Sequence, residues 1–116
     1  MKASKKKECK LMPKERLGQH QVMVKILANE VLPYLILVNP ILASTSISIE
    51  IDKVVENIQY KLYGCGGQQL LRRSIVCGNT IVELDEFEVN TFLLIISENG
   101  REVCSYEIVK QFHRNN

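Results

Sequence analysis

The residues whose types could carry chemistry are two histidines, four cysteines and one run of acids. His20 and His113 stand near opposite ends of the chain. Neither has a Ser, Cys or carboxylate beside it in a pattern that activates a nucleophile. Cys9, Cys65, Cys77 and Cys104 contain no Cys-x-x-Cys pair and have no neighbouring His, which argues against a zinc site. They read as small core hydrophobes or, in an oxidising compartment, as a Cys65–Cys77 or Cys77–Cys104 disulfide. Glu83, Asp85, Glu86 and Glu88 could attract calcium, but they lack the spacing and central glycine of an EF-hand loop and read better as a solvated connection. Gly64-Cys65-Gly66-Gly67 could be taken for a phosphate cradle. Such a loop opens a helix, whereas this one leads into Gln-Gln-Leu-Leu-Arg-Arg and reads as a hairpin turn. The expectation is a protein that is not an enzyme and needs no cofactor or metal.

The 116 residues suggest one domain with a modest core, with no tryptophan to fill it. The net charge of +2 hides an asymmetry. Residues 1–17 carry seven bases and two acids, whereas the remainder carries eight bases and eleven acids. A basic arm on a slightly acidic body could meet nucleic acid or an anionic membrane. The run is short and lacks interleaved aromatics, so a solvated arm is the better reading and no nucleic-acid partner is expected. The apolar stretch Val22–Ala43 is broken by Lys25, Glu30, Pro33 and Pro40. It therefore reads as neither a signal peptide nor a transmembrane segment.

The elements that would position these groups are strands. Residues 1–33 read as a basic, poorly ordered arm, with a short helix over 20–32 ending before Pro33. From there the pattern has period two. Ser46-Ile47-Ser48-Ile49-Glu50-Ile51 alternates strictly, and Ile58–Tyr63 runs apolar and polar by turns before the glycines. Thr91–Ser97 is an apolar run without alternation, as expected of a central strand covered on both faces. Asn99-Gly100 predicts a type I′ hairpin, because both positions need positive φ. About seven short strands, with turn signals near every ten residues, predict an all-β antiparallel, immunoglobulin-like β-sandwich over 34–112 and a tail at 113–116. The expected core is Ile47, Ile49, Ile51, Tyr60, Leu62, Ile81, Leu84, Phe92, Leu94, Ile96, Tyr106 and Ile108.

A set of motifs in this order resembles a known family. Val38-Asn39-Pro40, Ser48–Ile51, Leu62-Tyr63-Gly64-Cys65-Gly66-Gly67-Gln68, Asn79–Leu84, Val89-Asn90-Thr91-Phe92, Ser97–Arg101 and Tyr106–Lys110 are similar to the C-terminal sorting domain of the Bacteroidetes type IX secretion system, and to small immunoglobulin-like domains of Bacteroides. Val38 replaces a proline, Gly64 an aspartate, Asn90 a glycine and Phe92 a tyrosine. Asn90 is the substitute that best tolerates left-handed φ. The resemblance implies a non-catalytic, secreted or cell-surface module that directs a cargo protein through the secretion machinery. The cargo would belong to a longer chain. It also implies recognition through Asn39, Pro40, Tyr63, Gly67, Asn90, Phe92, Gly100 and Lys110. The alternative is a free-standing extracellular domain that binds a protein or a glycan by its loops or a sheet edge.

Overall fold

The structure is a computed structural model describing residues 19–42 and 44–113, with side chains over 21–42 and 44–111. It is an all-β antiparallel sandwich of eight strands: β1 (Gln19–Asn29), β2 (Ile36–Pro40), β3 (Ser46–Ile51), β4 (Ile58–Gly64), β5 (Gln69–Ser74), β6 (Gly78–Glu83), β7 (Thr91–Glu98) and β8 (Arg101–His113). Five strands form one sheet in the order β1-β8-β7-β4-β5, and three form the other in the order β2-β3-β6.

The alternation written in the sequence decides which faces meet. Ile47, Ile49 and Ile51 of β3 point into the core, as do Ile58, Tyr60 and Leu62 of β4. They meet Phe92, Leu94 and Ile96 of β7 and Cys104, Tyr106 and Ile108 of β8 in one apolar cluster between the sheets. The Asn99-Gly100 hairpin has φ values of 54° and 81°, the conformation that a type I′ turn demands. In the β4–β5 turn only Gly67 uses positive φ, at 90°.

The helix expected over 20–32 is strand β1, which adds an eighth strand and extends the sandwich N-terminal to residue 34. Its template is β8, whose 13 residues outrun the 8 of β7. Val22 and Val24 pair with Lys110 and Ile108 of that strand, so alternate β1 residues complete the core edge. The basic residues of the arm, up to residue 18, lie outside the described residues, as do 114–116.

Ile81 is the one expected core residue that faces away, 45% exposed. The β3–β6 register pairs Thr80 with Ile49 and Val82 with Ile47, so Thr80, Val82 and Leu84 share the inward parity and Ile81 must point out. As a result, the Thr80 hydroxyl is buried with no hydrogen-bond partner among the described residues. We expect Thr80→Val to stabilise the domain by about 1 kcal/mol, because it removes an unsatisfied polar atom while keeping the side-chain shape. A rise of a few degrees in the thermal midpoint checks this.

Neither expected disulfide forms: Cys77 and Cys104 are free. Cys77 sits at the end of the sandwich away from the β4–β5 turn that holds Cys65, with its Sγ 3.8 Å from the Ile51 carbonyl oxygen. Cys104 is buried on the inner face of β8. Cys65 is itself disulfide-bonded.

Candidate functional site

The strand registers gather seven of the eight residues singled out by the resemblance toward one end of the sandwich. Pro40 pairs with Ile47, beside the Ser46–Glu83 rung. Gly64 pairs with Phe92, and Phe92 with Ile108. The Lys110 backbone N–H donates to the Asn90 carbonyl at 2.8 Å. Gly100 is at the opposite end, in the β7–β8 hairpin.

These residues do not form one surface. Asn39, Pro40 and Gly67 are exposed, and Tyr63 and Asn90 are half-buried. Phe92 is 1% exposed and Lys110 5%, so a partner cannot read either by direct contact. Asn90 does not use left-handed φ: the only non-glycine residues that do among those described are Asn57 and Asn99. Its carbonyl is held by the β8 backbone instead.

Lys110 is the least expected of these. Its Nζ donates to the carbonyls of Leu84 at 3.0 Å and Phe87 at 2.6 Å, and lies 5.6 Å from the centre of the Phe92 ring. It clips the connection between β6 and β7 onto the sheet from within. Phe87 meets Phe92 edge to face, with centroids 6.1 Å apart. Burial pulls the Lys110 ammonium below the ordinary lysine range, and the charges of Asp85 and Glu88 partly oppose this. The acidic run is thus a lid fastened by a buried cation. Among the described residues, no group of three His, Cys, Asp or Glu could hold a metal ion.

An apolar concave surface lies on the outer face of the five-stranded sheet. Tyr63, Leu93 and Glu107 lie on one rung of β4, β7 and β8, and Ile95 lies on the next rung. Leu27 stands at a break in the β1–β8 register between Ile26 and Ala28. With Thr91 and Cys65 they line a groove of about 350 Å³. Among the described residues, Glu107 is the one acidic residue in that lining. Ser105 is buried although it points outward on the rung of Ile95. A smaller groove of about 290 Å³ crosses the three-stranded sheet at Leu35, Leu37, Glu50 and Asn79.

The sequence reading missed the larger groove. Its signal was the unbroken apolar run of β7: Phe92, Leu94 and Ile96 go to the core, while Leu93 and Ile95 face outward and floor the groove. Leu27 and Glu107 come from distant segments and join the groove only through the β1-β8-β7 order. His20 and His113 fall near each other in strand register, with Gln19 opposite His113 and His20 opposite Phe112. Among the described residues, no helix is long and apolar enough to cross a membrane. No family model, curated protein or solved structure matches the chain.

Proposed function

We propose that the chain is a non-catalytic binding module, recognised through the outer face of its five-stranded sheet. The observation that carries this reading is the groove floored by Leu93 and Ile95. An apolar patch on the face of a central strand that does not meet the core marks a place for a partner.

The resemblance supplies the partner: the type IX secretion machinery, with the module acting as the sorting signal of a cargo protein. In support, the segments that carry the resemblance in β4, β7 and β8 are adjacent strands that border this groove. Phe92 and Lys110 then serve recognition by holding the border in shape.

The test is the full 116-residue chain fused behind an exported reporter in a type IX-competent host. A fusion that began at residue 34 would strip β1 from the sheet and leave β8 as a bare edge. The reporter is expected at the cell surface. Retention in the periplasm overturns the sorting role.

A second reading is a free-standing extracellular interaction domain. Strand β5 favours it, since among the described residues it pairs with β4 alone and offers an edge for strand addition. Binding of the isolated chain to an extracellular protein or glycan, with the reporter still periplasmic, distinguishes this reading from sorting.

A further inference from the structure

Strand β5 is a sheet edge whose outward backbone groups can be named. In an antiparallel ladder, hydrogen-bonded and non-bonded residue pairs alternate. The Ile75 N–H donates to the Ile58 carbonyl at 3.0 Å, and the Gly64 N–H to the Gln68 carbonyl at 2.9 Å. The rungs Tyr60–Arg73 and Leu62–Leu71 between them are in the same phase, so Arg73 and Leu71 bond β4 through their backbones. On the other side of β4, the Asn99 N–H donates to the Asn57 carbonyl at 2.9 Å, which gives Gln59, Lys61 and Tyr63 to β7. The backbone N–H and C=O of Arg72 and Ser74 therefore point away from β4. Among the described residues, no strand lies beyond them.

The side chains sort the same way, because residues directly opposite each other share a face. Arg73 and Leu71 lie opposite the inward Tyr60 and Leu62, and Arg72 lies opposite Lys61 on the outer face. Arg72, Arg73 and Ser74 are exposed, while Leu71 is half-buried. The Arg72 Nε donates to Gln59 Oε1 at 2.8 Å, which fixes that guanidinium beside the edge. From Asn57 to Val82 the chain has no Asp or Glu, and its charges there are Lys61, Arg72 and Arg73. The edge is thus cationic on both faces. A second copy pairing here in a register centred on Arg72 or Arg73 would set arginine against arginine, which is destabilising. A strand bearing carboxylates gains where a copy of β5 loses.

We propose that β5 captures an extended acidic peptide segment of another protein as an added antiparallel strand. The segment places successive residues against Ser74, Arg73, Arg72 and Leu71. Its mark is two adjacent carboxylates, opposite Arg73 and Arg72, followed by an apolar residue opposite Leu71. The residues opposite Arg72 and Ser74 exchange both backbone hydrogen bonds with them. The apolar residue extends the inner face beside Leu71, which packs against the core. The ladder supplies affinity, and the arginines supply the choice of partner. This partner belongs to the second reading above, and the inference rests on that reading.

The probe is the synthetic peptide acetyl-Thr-Glu-Glu-Val-Thr-Val-amide, titrated into the isotopically labelled full chain of 116 residues. At saturation the amides of Arg72 and Ser74 should gain several-fold protection from hydrogen exchange, while those of Arg73 and Leu71, already bonded to β4, change little. The same peptide with Lys-Lys in place of Glu-Glu should bind at least about tenfold more weakly, since two attractive cross-strand pairs become two repulsive ones. Arg72→Glu with Arg73→Glu should reverse that preference while keeping a cooperative unfolding transition. N-methylation of the peptide residue opposite Arg72 removes one ladder donor and leaves the charges, and it should abolish the protection. Equal protection by the Glu-Glu and Lys-Lys peptides overturns the acidic partner and leaves the edge reading standing. Binding of the acidic peptide without protection at Arg72 and Ser74, or equal binding of its N-methylated form, overturns strand addition itself. No change at either amide with millimolar acidic peptide overturns the proposal.

Discussion

Phe92→Ala is expected to destabilise the domain by about 3–5 kcal/mol, the cost of emptying a well-packed aromatic site. Phe92 is 1% exposed and sits on the rung Gly64–Phe92–Ile108. Glycine on one side brings no side chain to collapse into the space, which places the cost toward the upper end. The edge-to-face contact with Phe87 is lost as well, and with it the apolar footing of the β6–β7 connection. Domains of this size have a total stability of about 5–15 kcal/mol, so the variant should sit near its threshold for folding. Urea denaturation checks the figure: the midpoint should fall sharply with an unchanged slope. A loss under about 1 kcal/mol would mean that the ring is not part of the core. Any loss of reporter export in this variant would report unfolding rather than a lost contact.

Lys110→Ala is expected to cost about 2–4 kcal/mol, because the Leu84 and Phe87 carbonyls lose their donor where water reaches them poorly. Lys110→Met keeps the stem and removes only the donor and the charge, so it isolates the polar part of the effect. The pH dependence has a definite sign. Burial depresses the Lys110 pKa in the folded state, so the unfolded chain binds more protons between that depressed value and the free lysine value of about 10.4. Relative to Lys110→Met, the wild-type chain should therefore gain stability as the pH rises through that window. A difference that stays flat or falls there would mean that the ammonium is not desolvated. Hydrogen exchange offers a second check, since residues 85–89 should exchange faster once the clip is gone.

Much of this fold is legible along the chain, and the exceptions have physical causes. The isoleucines of β3 and the Ile58–Tyr63 alternation fix their own faces, because a period of two has only one consistent burial. Asn99-Gly100 names its own turn. The β1 segment does not name itself: Val22, Met23, Ile26 and Leu27 satisfy a helical stripe as well as they satisfy an edge strand. What decides between them is β8, far along the chain, whose length leaves a row of backbone groups to pair. Ile81 is a question of parity. Thr80, Ile81 and Val82 all suit a strand interior, and only the register against Ile47 and Ile49 says which of them points in.

The candidate site is less legible, for the same reason. Leu93 and Ile95 look like core residues because β7 is apolar throughout; that they floor an outward groove follows from the strand order. Lys110 reads as an exposed charge until the Leu84–Phe87 segment closes over it. A lone cationic residue near the end of a strand, followed by another polar residue as in Val109-Lys110-Gln111-Phe112, carries no local mark of burial. The resemblance implies recognition through Phe92 and Lys110, yet both are buried; in the proposed reading their part is to shape the surface.

The most direct test of the account is to change one face at a time in the reporter fusion of the full chain. Leu93→Lys with Ile95→Lys alters the groove of the five-stranded sheet, and Leu37→Lys with Ile81→Lys alters the outer face of the three-stranded sheet. All four positions are outward, so both variants should keep a cooperative unfolding transition. The account predicts that the first pair leaves the reporter in the periplasm while the second delivers it to the surface as the unaltered fusion does. Equal delivery by the two variants would contradict the claim that the groove face is the one recognised.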